Sequence, residues 1–279
     1  MTRTWLITGS SRGFGRELAV AALEKGDQVV ATARRREQVE DLVQKYGDRA
    51  RTFALDVTDA EAARAAVQFA VDEFGHLDVV ANNAGYANSS AIEETPDEDF
   101  RAQVEANFFG VVNVTKAALP VLRAQRSGHF VQFSSVGGRV GGSPGAAAYQ
   151  AAKFAVEGFS EVLNNEVKPL GIKVTIIEPG AFRTDWAGSS MRLAPVGPDY
   201  EETVGAMNRR RAGMDRSAPG DPARGARIIV DLVDLAEPPL RLLLGSDAVE
   251  AAERSSRSRA AEAAQWAPVS RSADFPHAR

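Results

Sequence analysis

A doubly wound α/β architecture, with seven parallel strands in one sheet and helices on both faces, is the fold this sequence predicts. Three observations carry it. Short apolar, strand-like runs alternate with helical segments in a regular beat from Thr4 to Leu244. The first run passes through a glycine-rich turn, Gly9-Ser10-Ser11-Arg12-Gly13-Phe14-Gly15, directly into a helix. Small and polar residues gather where later runs end: Asn82-Asn83-Ala84-Gly85, Ser134-Ser135 and Pro179-Gly180. Strands joined by helices pair in parallel, and right-handed crossovers place those helices on both faces. In open sheets of this kind ligands sit at the carboxyl ends of the strands, which is where these residues fall, and the arrangement is that of a Rossmann-type dinucleotide fold.

Size and composition agree. The 279 residues, 44% of them hydrophobic, can bury one large core. One catalytic domain is expected over 1–247, with a substrate lid inserted at 185–221 and a tail, partly helical or disordered, over 248–279. A formal charge of −4 gives no electrostatic footprint for nucleic acid or an anionic membrane. Zero cysteines exclude disulfides, thiolate metal sites and a cysteine nucleophile. His76, His129 and His277 lie far apart, with no metal-ligand spacing. With a strand beginning at Thr4 no signal peptide is expected, and no apolar run approaches the ~18 residues of a membrane span. A cytoplasmic protein is expected, with no membrane and no nucleic-acid partner.

The first strand, Thr4 to Thr8, leads through the turn into a helix from Arg16 to Lys25 that Gly26 closes. The glycines let the backbone approach a pyrophosphate, and the helix N-terminus offers it unpaired N–H groups and the positive end of a dipole. The second strand, Gln28 to Thr32, ends in Ala33-Arg34-Arg35-Arg36, with no acid before Glu37. At that strand end an acid would hold the ribose 2′-hydroxyl of NAD, whereas arginine receives the 2′-phosphate of NADP. Arg34, with Arg12 in the turn, therefore points to NADP(H) over NAD(H); Arg35 and Arg36 read as a solvated helix start.

A third strand, Arg51 to Leu55, ends at Asp56-Val57, and Thr58 or Asp59 caps the Ala-rich helix that follows to Glu73. Leu77 to Ala81 is the fourth strand. A long helical region runs from Asp97 to Gln125 with Asn107 inside it, and a buried helical Asn ordinarily satisfies local structure. Phe130 to Phe133 is the fifth strand and delivers Ser134 and Ser135. The glycine-rich loop Gly137 to Pro144 leads into a helix with an apolar face through Phe154, Phe159, Val162, Leu163 and Val167, suited to core or to a subunit interface. Lys173 to Ile177 is the sixth strand. From Asp185 to Asp221 the periodicity breaks down around Trp186, Met191, Leu193, Met207 and Met214, as in an active-site lid or a mobile surface excursion. A helix from Pro222 to Leu235, a seventh strand from Leu240 to Leu244, and a tail helical to about Trp266 complete the chain.

The chemistry-bearing unit is Tyr149-Gln150-Ala151-Ala152-Lys153. A Tyr and a Lys four apart on a helix share one face, so an ammonium beside the phenol is expected to favour its ionised form and bring its pKa toward working pH, where it serves as acid or base. Alone the pair is common on helix surfaces; its company sets it apart.

The glycine pattern Thr8-Gly9-x-x-x-Gly13-x-Gly15, Asn82-Asn83-Ala84-Gly85, Asn107, Ser135, Tyr149 with Lys153, and Pro179-Gly180 with Thr184 occur in the order of one family. Over residues 4 to about 245 the chain resembles a classical short-chain dehydrogenase/reductase. Ser135-Val136-Gly137-Gly138 and Phe154-Ala155-Val156-Glu157-Gly158 are similar to its hydroxysteroid and retinol dehydrogenase branch. The resemblance implies that Tyr149 exchanges a proton with the substrate oxygen while a nicotinamide exchanges hydride with its carbon. It implies that Lys153 holds the nicotinamide ribose and stabilises the tyrosinate, that Ser135 orients the substrate oxygen, and that Asn107 anchors a water linking Lys153 to solvent. Ser135 is preferred to Ser134 by resemblance and by spacing to Tyr149, since alternation turns only one of them to the cleft. For the cofactor it implies Gly9, Ser11, Arg12, Gly13, Phe14 and Gly15 around the pyrophosphate and adenosine side, Arg34 at the 2′-phosphate, and Asp56 and Val57 beside adenine. Asn83, Ala84 and Gly85 would serve the ribose region, with Pro179, Gly180 and Thr184 near the carboxamide.

The expected activity is interconversion of a ketone or aldehyde with an alcohol, on a bulky hydrophobic small molecule, by a homodimer or homotetramer. A non-catalytic NADP(H) sensor on the same fold is the first alternative, although such proteins often lose the Tyr or the Lys. An NAD-dependent epimerase or dehydratase is the second, although that class has different glycine spacing and a second domain.

Overall fold

A computed structural model describes residues 2–184, 191–212 and 217–275. Nine strands are described: β1 (Thr4–Ile7), β2 (Gln28–Ala33), β3 (Ala50–Ala54), β4 (Val79–Asn82), β5 (Ala87–Ser89), β6 (Gly128–Phe133), β7 (Ile172–Pro179), β8 (Met191–Leu193) and β9 (Arg241–Leu244). Seven of them form one sheet in the order β3-β2-β1-β4-β6-β7-β9, and every pairing in it is parallel. The expected architecture is therefore observed. The order reverses between β1 and β4, and a crevice opens at such a switch point.

Alternation along the buried strands divides the core between the two faces. Trp5 and Ile7 of β1 face one side with Val29, Ala31, Val79, Ala81 and Val131, and pack against α1 (Gly13–Lys25) and the helix Pro222–Leu232. Leu6 faces the other side with Val30, Val80 and Phe130, against α3 (Ala60–Phe74), α5 (Gly110–Gln125) and α7 (Ala147–Val167). Because both faces are covered, the strands read as continuous apolar runs, and for that reason the sequence shows them clearly. Of the two possible caps for α3, Asp59 takes the role, accepting from the N–H groups of Glu61 and Ala62 at 2.8 and 3.0 Å.

Four features depart from the sequence reading. The helix from Asp97 to Gln125 is continuous but not uniform: α4 (Asp97–Val104) and α5 are joined by a π-helical turn, Glu105–Phe109, that contains Asn107. The strand-exit segment and the irregular region supply β5 and β8, which pair as a separate two-stranded parallel sheet. The glycine-rich loop after β6 begins with a short helix, α6 (Val136–Arg139), capped by the Ser135 hydroxyl. The tail forms a helix, Ser246–Arg271, that runs past Trp266; only Ala248 and Ala252 in it are buried. The expected lid falls partly on 185–190 and 213–216, which lie outside the described residues. The rest of that segment contains β8, a π-helical turn (Glu201–Gly205) and α8 (Ala206–Arg211).

Candidate active site

The carboxyl ends of β1, β2, β4, β6 and β7 surround a cleft of about 610 Å³. Every residue expected at the site lines it except Gly15. Gly15 is buried in the first turn of α1, where an added Cβ would stand 2.3 Å from Asn83 Nδ2 and 2.4 Å from the Gly9 carbonyl, so it serves close packing behind the turn. Gly9 adopts φ +69°, and a Cβ there would meet Ala84 Cα at 2.8 Å; only glycine fits this turn without strain.

Asn83 and Thr8 knot the glycine turn to the end of β4. The Asn83 amide donates to the carbonyls of Thr8 and Gly9 at 3.0 and 3.1 Å, while the backbone N–H groups of Asn83 and Ala84 donate to Thr8 Oγ1, each at 3.0 Å. Asn83 thus shapes the cleft through its own hydrogen bonds as well as lining it. At its first turn α1 carries no side-chain cap and no acidic residue. Its leading N–H groups are left for an anion, since no side chain competes for them.

The end of the cleft beside the glycine turn and β2 is cationic. Ion pairs engage Arg16 with Asp41 and Arg36 with Glu40. Arg34 is exposed, lines the cleft, and makes no ion pair among the described residues; Arg12 lines the same end. Glu37 does not line it. Asp56 turns its carboxylate inward on its own loop, accepting from Thr58 N at 3.0 Å and Thr58 Oγ1 at 2.8 Å, and Val57 beside it is buried. A dinucleotide phosphate fits this set: a glycine cradle, an uncapped helix end and two arginines. At the far wall Phe14 packs edge-on against Phe182, ring centroids 4.7 Å apart, beside Pro179, Gly180 and Thr184.

The opposite end holds the titratable pair. Tyr149 and Lys153 are buried on α7, the phenol packing against Ala87 of β5 and Met191 of β8. The Ser135 hydroxyl hydrogen-bonds the Tyr149 phenol, whereas Ser134 Oγ points to the Lys153 carbonyl at 3.5 Å. Lys153 Nζ lies 5.7 Å from the Tyr149 ring centroid and donates to the Phe133 carbonyl at 2.7 Å.

The expected electrostatic effect is reversed. Burial pushes the Tyr149 phenol up to about 12, only partly opposed by the hydrogen bond from Ser135. Burial likewise pulls Lys153 down to about 8, opposed by the Glu157 carboxylate one turn further on. Spacing places the two groups on one face, but desolvation, which spacing does not report, decides the sign. A phenol so held is a proton donor over the whole neutral range.

Asn107 is fully buried, and its amide is committed to backbone. It donates to the carbonyls of Tyr86 and Gln103 at 2.8 and 2.7 Å and accepts from Tyr86 N at 3.1 Å. The π turn that carries it is the kind of helix irregularity found at functional sites. Residues the sequence did not single out also line the cleft, notably Tyr86, Glu105, Phe182 and Arg211. Of these, Tyr86 follows Gly85 and Phe182 lies between Gly180 and Thr184, both within reach of a recognised signal. Among the described residues, no group of three or more His, Asp and Glu side chains could hold a metal ion, and no helix is long and apolar enough to cross a membrane.

Residues 3–192 match the family described as short chain dehydrogenase. A curated relative from Botryotinia fuckeliana, "Oxidoreductase BOA17", is 51% identical over 271 residues, covering 97% of this chain and 98% of its own. A crystal structure of a short-chain dehydrogenase from Streptomyces avermitilis superposes with a TM-score of 0.91 at 42% identity, over 99% of this chain and 100% of the other. An alcohol dehydrogenase from Thermococcus sibiricus, complexed with 5-hydroxy-NADP, superposes with a TM-score of 0.71 at 25% identity, over 88% and 96%. The chain belongs to the short-chain dehydrogenase/reductase family of NAD(P)-dependent oxidoreductases.

Proposed function

We propose that this enzyme uses NADP(H) to interconvert a bulky, apolar ketone or aldehyde with its alcohol, and that Ser135, Tyr149, Lys153 and Asn107 form its catalytic set. The single observation that carries this is the hydrogen-bonded Ser135–Tyr149 pair on the cleft wall, with the Lys153 ammonium beside the phenol.

NADP(H), when bound, supplies or removes the hydride. The turn from Gly9 to Phe14 and the uncapped end of α1 would take its pyrophosphate, Arg34 and Arg12 its 2′-phosphate, Asp56 and Val57 its adenine. Asn83, Ala84 and Gly85 would line the ribose path, with Pro179, Gly180 and Thr184 at the carboxamide and Lys153 at the nicotinamide ribose.

The remaining chemistry belongs to the chain. Tyr149, protonated until about pH 12, donates its proton to the carbonyl oxygen as that oxygen gains charge. Ser135 holds the same oxygen in line. Lys153, charged below about pH 8, stabilises the tyrosinate left behind and returns a proton to it. Asn107, through Tyr86 and the π turn, holds the wall on which this occurs. In oxidation the same groups run in reverse, with the phenol's high pKa favouring high pH. An apolar substrate follows from the walls: Phe182, Ala102, Ala106 and Ala218 line the cleft, and Met191 backs the phenol. The local resemblance to the hydroxysteroid and retinol branch points the same way.

Residues 1–247 are read as the catalytic domain. The enzyme is read as a cytoplasmic homodimer or homotetramer, its copies meeting through exposed Phe109, Phe154 and Val162 near α5 and on α7.

The test is Tyr149→Phe, followed by NADPH oxidation with a panel of apolar ketones. Turnover is expected to fall about 10²- to 10⁴-fold, the span typical of a lost general acid, while NADPH affinity stays unchanged. Turnover within about threefold of the wild type would overturn the assignment.

A further inference from the structure

Arg211, at the end of α8, is 7% exposed and lines the cleft. Its guanidinium is surrounded by neutral oxygen. Nη1 donates to Ser89 Oγ at 2.8 Å and, more weakly, to Asn208 Oδ1 at 3.5 Å; Nη2 donates to Ser143 Oγ at 2.7 Å. Nε–H and one N–H of Nη2 have no protein acceptor among the described residues. A buried guanidinium stays charged, and a buried charge normally has a countercharge, because desolvating it alone is costly. The other clustered arginines obey this rule: Arg139 meets Glu178, and Arg241 meets Glu157, Glu161 and Glu178. The two carboxylates on the cleft wall, Asp56 and Glu105, do not pair with Arg211.

The position of Arg211 in the cleft is set by its neighbours. Ser89 ends β5, the strand whose Ala87 packs on Tyr149, and its carbonyl accepts from Ala194 N just beyond β8. Ser143 belongs to the loop between α6 and the start of α7, and its N–H donates to Gln150, the residue after Tyr149. Both segments border the phenol, not the glycine turn that would take the phosphates. The guanidinium therefore stands at the substrate end, with open N–H groups and no countercharge among the described residues.

We infer that Arg211 recognises a carboxylate on the substrate, so that the apolar carbonyl compound this enzyme takes is an oxo or hydroxy acid. The remaining N–H donors match the two oxygens of a carboxylate, which would complete the charge pair on binding. This rests on the assignment of the cleft to NADP(H) and a carbonyl compound given above, but it is tested by binding, without turnover.

The probes are decanoate and decanamide, equal in length and differing in charge, titrated calorimetrically into the full chain saturated with NADP⁺. Charge-assisted hydrogen bonds contribute about 1.5–3 kcal/mol, so decanoate is expected to bind about 10- to 100-fold more tightly. Arg211→Met is expected to abolish the preference and leave decanamide affinity unchanged; Arg211→Lys, which keeps the charge but loses the fork, retains part of it. The wild-type comparison needs no variant to fold. Equal affinity for the two probes, binding of neither, or a preference that survives Arg211→Met would each overturn the inference. An inactive Tyr149 assignment would leave the decanoate preference intact, so the two failures can be told apart.

Discussion

The two ends of the cleft are built by different means. At the end with the glycine turn, backbone does the shaping: a turn at positive φ, an uncapped helix, and an Asn83–Thr8 knot whose contacts are mostly to main chain. At the Tyr149 end, side chains do it: Ser135, Tyr149, Lys153 and Arg211 are held by packing and by their neighbours. Main-chain architecture of the first kind leaves a dense mark in the sequence, because only glycine satisfies it. Side-chain architecture of the second kind is set by burial and by which distant segments meet, and little of that is local.

The contrast can be broken or sharpened by substitution. The largest effect after loss of Tyr149 or Arg211 belongs to Arg34→Ala. If Arg34 reads the 2′-phosphate beside Arg12, its loss lowers NADPH affinity about 10- to 100-fold, the worth of charge-assisted contacts, while NADH affinity is unchanged. Fluorescence titration with both cofactors checks it, and an equal loss for the two would show that Arg34 shapes the wall without reading the phosphate.

A smaller effect tests the electrostatics of the substrate end. Lys153 is charged below about 8 and neutral above, so kcat/KM for carbonyl reduction should fall as pH rises through that value. The Glu157 carboxylate raises the Lys153 pKa; removing its charge in Glu157→Gln lets the lysine lose its proton earlier, and the fall should move to lower pH. A pH profile that does not move would mean that the limb belongs to another group. The smallest effect lies outside both ends. Beyond Arg259, which donates to the Val140 carbonyl, the C-terminal helix is largely exposed, Trp266 included. Removing residues 261–279 should change stability by less than about 0.5 kcal/mol, as measured by urea unfolding.

What the sequence disclosed follows the same division. Strands buried on both faces stand out as apolar runs, and all seven of the main sheet are found within a few residues of their observed limits. The glycine turn, the Asn83 loop and the Tyr149–Lys153 helix were equally plain. Four things were not. The π turn around Asn107 has the composition of ordinary helix, and nothing in Glu105–Phe109 announces an extra residue in the turn. The pairing of Ala87–Ser89 with Met191–Leu193 joins two three-residue strands far apart in the chain, too short for any periodicity to register. Arg211 closes a run of three arginines, and only the fold shows that Arg209 and Arg210 face water while Arg211 is buried. The sign of the Tyr149 shift escaped for the same reason, since the desolvation behind it depends on Met191 and Ala87 arriving from elsewhere.

The two-stranded sheet has one further consequence. Its ladder is three residue pairs long and stands apart from the main sheet. A short annex of this kind can be rebuilt over evolutionary time without disturbing the foundation that binds the nucleotide. Lineages sharing this scaffold could exchange one repertoire of carbonyl compounds for another by redrawing Ala87–Ser89, Met191–Leu193 and the helix that ends at Arg211, keeping the hydride-handling apparatus as an heirloom.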